Sequence, residues 1–186
     1  MSKLQLQTSA TADQSSYSMA APALGLSHPS RSFSAPQGDF RVLSPTHPGF
    51  DGTPRPDWLT TIGGLAEVYD KLLDQLQFSD VAVISSSIGG GIAAELAIRG
   101  SPKLSGAVLA DAVGILVEGH PMADAFSLTL DQLTQLSYHN PAKFHIDLSS
   151  FTDAQRQAIG ANRAALAVYG GMLHCPTQLS LAGPTT

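Results

Sequence analysis

The stretch VAVISSSIGGGIAAELA, Val81 to Ala97, carries the residues with the clearest chemical potential in this chain. An apolar run meets three serines, Ile88 follows, and a glycine triplet opens a second apolar segment. That order describes a buried strand turning sharply into a helix. A serine at the apex of such a turn offers its hydroxyl as a nucleophile. Small residues two before and two after it let the strand and helix backbones approach. In the window Ser85-Ser86-Ser87-Ile88-Gly89, Ser87 holds the nucleophile position and Gly89 the second small position. Ser85 stands where the pattern wants glycine. The Ile88 N–H, at the positive end of the helix that follows, is aimed at a substrate oxyanion. Gly90 and Gly91 permit close packing against the sheet.

Other glycine-rich turns fit less well. A phosphate loop requires GxxxxGK[ST], and no lysine follows here. A dinucleotide loop requires GxGxxG with an acidic residue about 20 positions on. A tight structural turn without chemistry is the remaining alternative. Composition narrows the partners. The 186 residues carry 10 Lys and Arg against 15 Asp and Glu, for a net charge of −5, and no basic run occurs. Nucleic acid is therefore not an expected partner. No apolar run approaches the roughly 20 residues that span a bilayer, so no membrane partner is expected. Cys175 is the lone cysteine, and the six histidines lack ligand spacing such as HExxH. No metal or organic cofactor is implied. The N-terminus lacks the apolar segment of a secretory signal, which leaves the cytoplasm as the expected compartment; the expected partner is the small-molecule substrate that a nucleophilic serine would attack.

Several elements must position the serine. Residues 1–38 are rich in Ser, Ala, Gln, Thr and Pro, a composition expected to be disordered. FRVLS from Phe40 is a strand candidate, and THPGFDGTPRP is turn chemistry. Leu65, Val68, Tyr69, Leu72, Leu73 and Leu76 form one apolar helical face. VAVIS reads as a strand in the middle of a parallel sheet. IGGGIAAELAIRG is a helix stopped near Gly100, and SGAVLAD is another buried strand, ending at Asp111. The alternation predicts an α/β sheet of three to four parallel strands with flanking helices. No strand pattern appears from Ala112 to about Gly171. SLTLDQLTQLSYH and TDAQRQAIGANRAALAVYG, with Thr152 as N-cap, read as helices over the sheet. The expected divisions are a disordered segment 1–38, a core 39–114, a helical insertion 115–171 and an irregular tail 172–186.

The stretch PTHPGFDGTPRPDWLTTIGGLAEVYDKLLDQLQFSDVAVISSSIGGGIAAELAIRG resembles the α/β-hydrolase superfamily. HPGFDGTPRP looks like that family's loop after its fourth strand, SGAVLADAVGI like the strand after the nucleophile helix, and GHPMADAFSLTLDQLTQL like the start of its cap. The resemblance covers roughly residues 40 to 170 and points to the capped serine-hydrolase branch. It implies a partial α/β-hydrolase sheet with a helical cap segment, and hydrolysis of an ester or related acyl substrate by Ser87. Epoxide hydrolases and haloalkane dehalogenases of this superfamily carry aspartate at the elbow, so Ser87 argues against those chemistries.

The resemblance also implies partners for Ser87. The family's chain order is Ser, then Asp or Glu, then His, with the last two beyond the cap. This sequence stops at LAGPTT, so the family pattern is expected to be truncated at both ends. Asp111 is a candidate orienting carboxylate, since some members place their acid after that strand. His28 in LGLSHPS marks the nearest counterpart of the second oxyanion loop. His47 shapes the HPGFDG loop or borders the pocket. Ser86 and Gly89 complete the candidate oxyanion and pocket set. His120, His139, His145 and His174 do not match the family's base position. Three readings follow: a serine hydrolase, a catalytically inactive remnant, and a small-molecule binding module. Open sheet edges add an expectation of self-association.

Overall fold

The computed structural model describes residues 3–8, 33–37, 40–117, 119–120, 123–144, 147–170 and 179–181. Its centre is a sheet made of β1 (Lys3–Thr8), β2 (Phe33–Gln37), β3 (Phe40–Ser44), β4 (Val81–Ser86) and β5 (Leu104–Ala110). The strand order is β2-β3-β1-β4-β5. β1 pairs parallel with both β3 and β4, and β4 pairs parallel with β5. Only β2 runs antiparallel, against β3. Four parallel strands therefore end on one edge, at Thr8, Ser44, Ser86 and Ala110. The described loops after β3, β4 and β5 start from that edge, where open α/β sheets bind their ligands.

Two expectations are corrected by this sheet. Lys3–Thr8 and Phe33–Gln37, inside the stretch read as disordered, are strands, and β1 lies at the centre. KLQLQT alternates Leu4 and Leu6 with polar residues, a short strand period that the segment's overall composition hides. The rest of the 1–38 segment lies outside the described residues. A strand also occurs where none was expected: β6 (Ile115–Val117) pairs parallel with β7 (Leu179–Leu181). Three residues are too few for a period-2 pattern to register.

Helices cover one face of β4. Thr61 caps α1 (Ile62–Gln75) by accepting the Gly64 N–H at 3.0 Å. Leu65, Tyr69 and Leu73 lie on its predicted apolar face and are buried. α2 (Ile88–Ile98) is apolar nearly all round and is buried from Ile88 to Ala94. Leu73, Val81, Val83 and Ala93 make one cluster, so α1 and α2 share a face of the sheet. On the other face Ala82 is exposed and Ile84 half-buried. The expectation that β5 is a buried strand fails: Ser105 to Ala110 are all exposed, with Val108 at 59% and Leu109 at 38%. Among the described residues β5 is the edge of the sheet.

α3 (Leu130–Ser137) starts with a capping box between Thr129 and Gln132. α4 (Asp153–Gly170) starts with the same reciprocal arrangement, Thr152 N–H to Gln155 Oε1 at 2.8 Å and Gln155 N–H to Thr152 Oγ1 at 3.3 Å. α4 braces the HPGFDG loop. Asp51 N–H donates to Asn162 Oδ1 at 2.8 Å, and Asn162 Nδ2 donates back to Asp51 Oδ1 at 2.9 Å. The Tyr169 hydroxyl donates to Pro48 O at 2.8 Å, and its ring stacks on Phe50. Beneath the loop His47 is only 2% exposed, hydrogen-bonded through Nδ1 to the Tyr69 hydroxyl at 2.6 Å. Its ring meets both Phe50 and Tyr69 edge-on. Burial pushes the His47 pKa down to about 4 and raises that of Tyr69 well above its usual value.

Two tests follow from this packing. A Cβ on Gly90 would sit 2.6 Å from Ala112 Cβ and 2.7 Å from its Cα. Gly90→Ala should therefore cost about 1–3 kcal/mol by overpacking, although alanine ordinarily favours a helix by about 1 kcal/mol. Urea unfolding at neutral pH checks the sign, and a stabilised variant would contradict the close approach. The second test is of His47. Its folded pKa lies below the unfolded value of 6.5, so its contribution is complete above about pH 6.5 and is lost as pH falls through about 4. Stability should fall by about 3 kcal/mol across that window, and His47→Gln should flatten the fall. Urea midpoints at pH 7.5, 6, 5 and 4 measure it.

Candidate functional site

β4 runs straight into α2 with one residue between them, Ser87, and its backbone is strained. Ser87 adopts φ 53° and ψ −125°. A side chain at such a positive φ is crowded, and the cost is of order 1–3 kcal/mol. The surrounding chain holds it there. The Ser87 N–H donates to Ala110 O at 3.1 Å, and Ser87 O accepts from Val113 N–H at 3.0 Å. The first bond reaches the end of β5 and the second the loop that follows it. The same oxygen accepts the Gly91 N–H at 3.2 Å, starting the helix. Ser87 is the N-cap of α2, yet its hydroxyl makes no capping bond. The side chain is half-buried.

The other candidates fall into distinct places. Ile88 is the first residue of α2 and its side chain is buried. Helix geometry leaves its N–H without an acceptor inside the helix. Gly89 is buried in the same first turn, and Ser86 is the half-buried last residue of β4. Gly91 lies as close to the 112–113 segment as Gly90 does: a Cβ there would be 2.6 Å from Val113 O. Ser85, at the position where glycine was wanted, is buried and donates its hydroxyl to Val108 O at 3.1 Å. That bond explains how a polar residue is accommodated in the buried strand.

Asp111 follows β5 directly and is exposed, with φ 48°. It lies between Ala110 and Val113, the two residues whose backbones bracket Ser87. Residues 87 and 111 are therefore brought to the same corner of the sheet edge. His47 is on that edge too, but buried against Tyr69 in the role of shaping its loop. His120 and His139 are exposed. His28, His145 and His174 lie outside the described residues. Sequence reasoning missed Asn162, which is 2% exposed and fastens the loop from α4. Its signal was a lone amide within an alanine-rich helical face. Tyr69 was read as core, and its hydroxyl turns out to carry the bond to His47.

Among the described residues no group of three His, Cys, Asp or Glu side chains is arranged to hold a metal ion. No described helix is long and apolar enough to cross a membrane.

Solved structures share this fold. An N-acyl homoserine lactonase, AidH, complexed with N-butanoyl homoserine, is 16% identical with a TM-score of 0.54, over 94% of this chain and 62% of its own. Cfl2 from Burkholderia cenocepacia is 17% identical with a TM-score of 0.53, over 90% and 62%. RedJ, with a PEG molecule bound in its active site, is 18% identical with a TM-score of 0.53, over 98% and 68%. This chain spans 53%, 62% and 63% of the first three similar structures, all of them forms of AidH. No curated protein matches the sequence. The family model described as alpha/beta hydrolase fold matches residues 20–160. Because that match takes in the elbow serine, the loop that α4 braces and well over half of the sequence, the chain belongs to the α/β-hydrolase fold family.

Proposed function

We propose that the protein is a serine hydrolase of an ester or related acyl substrate, with Ser87 as the nucleophile. The observation that carries the reading is the strained Ser87 backbone at the β4–α2 junction, with a hydroxyl not consumed in capping. A residue with no functional demand on it would relax or be glycine. Ser87 Oγ attacks the substrate carbonyl and forms a tetrahedral adduct. The Ile88 N–H and the positive end of α2 stabilise its oxyanion. A histidine takes the hydroxyl proton and returns it to the leaving group, and Asp111 orients that base. Water then hydrolyses the acyl-enzyme. The N-acyl homoserine bound by the similar lactonase is an acyl compound of this general kind. A lone cysteine and a net charge of −5 suit action in the reducing cytoplasm on a small, uncharged or cationic substrate.

One observation favours a second reading, an inactive remnant or binding module. His47, the buried histidine among the described residues, is committed to Tyr69 and held neutral. It cannot serve Ser87 without dismantling the loop.

A fluorophosphonate probe separates the two. The hydrolase reading expects covalent labelling that is lost in Ser87→Ala and slowed at least ~10-fold in Asp111→Asn. Folded protein that resists the probe, yet is stabilised by an acyl ligand, is a binding module. Labelling that survives in Ser87→Ala would reject Ser87 as nucleophile. A separate outcome is expected of Ser87→Gly. It should lose labelling and gain about 1 kcal/mol of stability, because glycine accepts the positive φ. Thermal unfolding then shifts upward by roughly 2–4 °C.

A further inference from the structure

We infer that Asn162 is a positioning residue: from α4 it fixes the HPGFDG loop relative to the serine corner, and through that loop it sets how tightly the substrate is held. The inference rests on the hydrolase reading of Ser87.

Asn162 is 2% exposed. Its Oδ1 accepts the Asp51 N–H at 2.8 Å, and its Nδ2 donates to Asp51 Oδ1 at 2.9 Å. A backbone N–H can only donate and a carboxylate only accept, so the amide can face one way alone. Alanine at this position meets neither demand, and a carboxylate meets only the first. Asp51 stands at φ 51°, between Gly49 and Gly52, which also have positive φ. The backbone bonds Phe50 N–H to His47 O and Thr53 N–H to Phe50 O stay inside the loop. Side chains on the helices therefore decide where the loop lies.

The loop packs toward the elbow. Phe50 belongs to the same buried cluster as Ile88, the residue after Ser87, and Ala165 and Tyr169 of α4 join it there. The elbow end of this cluster is fixed by the backbone bonds of Ser87. The loop end is fixed from α4, by Asn162 on Asp51 and by Tyr169 on Pro48 and Phe50. Releasing Asn162 thus shifts the loop against a nucleophile that stays in place. Such a shift weakens substrate binding and spares the reactivity of the hydroxyl, which separates KM from kcat.

The test follows hydrolysis of p-nitrophenyl butyrate beside the rate of labelling by a small fluorophosphonate. Asn162→Asp keeps an acceptor for the Asp51 N–H and sets a second carboxylate against the first. It should raise KM at least ~10-fold, with kcat and the labelling rate changed by less than ~3-fold. Adding Asp51→Asn turns the side-chain bond round, the new amide at position 51 donating to the new carboxylate at 162. That double variant should return KM to within ~2-fold of the unmodified protein. Asn162→Ala loses both bonds without adding charge and should raise KM in the same direction, which covers an Asn162→Asp that does not fold. Thermal unfolding reports which variants are folded. The inference is overturned if folded Asn162→Ala keeps the original KM, if kcat and labelling fall while KM stays, or if the double variant is no better than Asn162→Asp. Unmodified protein that neither hydrolyses the ester nor takes the label rejects the hydrolase reading and this inference with it, whereas the other outcomes reject the inference alone.

Discussion

The Ser87 backbone is clamped from one side by the end of β5 and the loop after it, and much of the fold follows from that constraint. One residue gives its N–H to Ala110 O and takes the Val113 N–H on its own oxygen. These bonds are what keep a serine at φ 53°, a conformation that its side chain opposes. They also set the spacing between α2 and residues 112–113, so tight that Gly90 and Gly91 have no room for a Cβ. The glycine triplet, the strained serine and Asp111 at φ 48° are therefore parts of one device. Its rigidity comes from backbone hydrogen bonds, which need no particular side chain beyond small ones.

The HPGFDG loop, which follows β3 at the same edge of the sheet, is held by side chains instead. The HPGFDG loop turns at Gly49, Asp51 and Gly52, all with positive φ, and would be loosely fixed alone. Asn162 satisfies the Asp51 N–H and carboxylate together, Tyr169 reaches Pro48, and His47 stands on Tyr69 below. Buried polar groups of this kind hold a loop firmly while every partner is present, and cost heavily when one is lost. α4 thus acts on the loop as a buttress.

How far the sequence disclosed this depends on what each feature rests on. The helix of α1 was visible because six apolar residues repeat on one face. The turn at Ser87 was visible because small residues are concentrated where backbones must touch. β1 was not visible, because six residues with two leucines carry little weight inside a long Ser- and Pro-rich segment. The position of β5 was correct but its burial was not: an apolar strand states what it needs, and its environment depends on which neighbours pack on it. Asn162 and the hydroxyl of Tyr69 were missed for another reason. Each forms a bond across 22 or 111 residues, and a single sequence has no periodic signal for such pairs.

The serine corner and the HPGFDG loop differ in what they tolerate. Around Ser87 the contacts are backbone to backbone, so any added atom displaces a strand end or a helix start. Around His47 the contacts are aromatic and polar, so a change of protonation is enough. Burial holds His47 neutral, and charging it would place an imidazolium among Phe50, Tyr69 and the loop carbonyls with no carboxylate bonded to it. Charging His47 therefore bears on the HPGFDG loop that it supports. The elbow, held by amide groups that do not titrate in this range, keeps its geometry for as long as β4 and β5 stay paired.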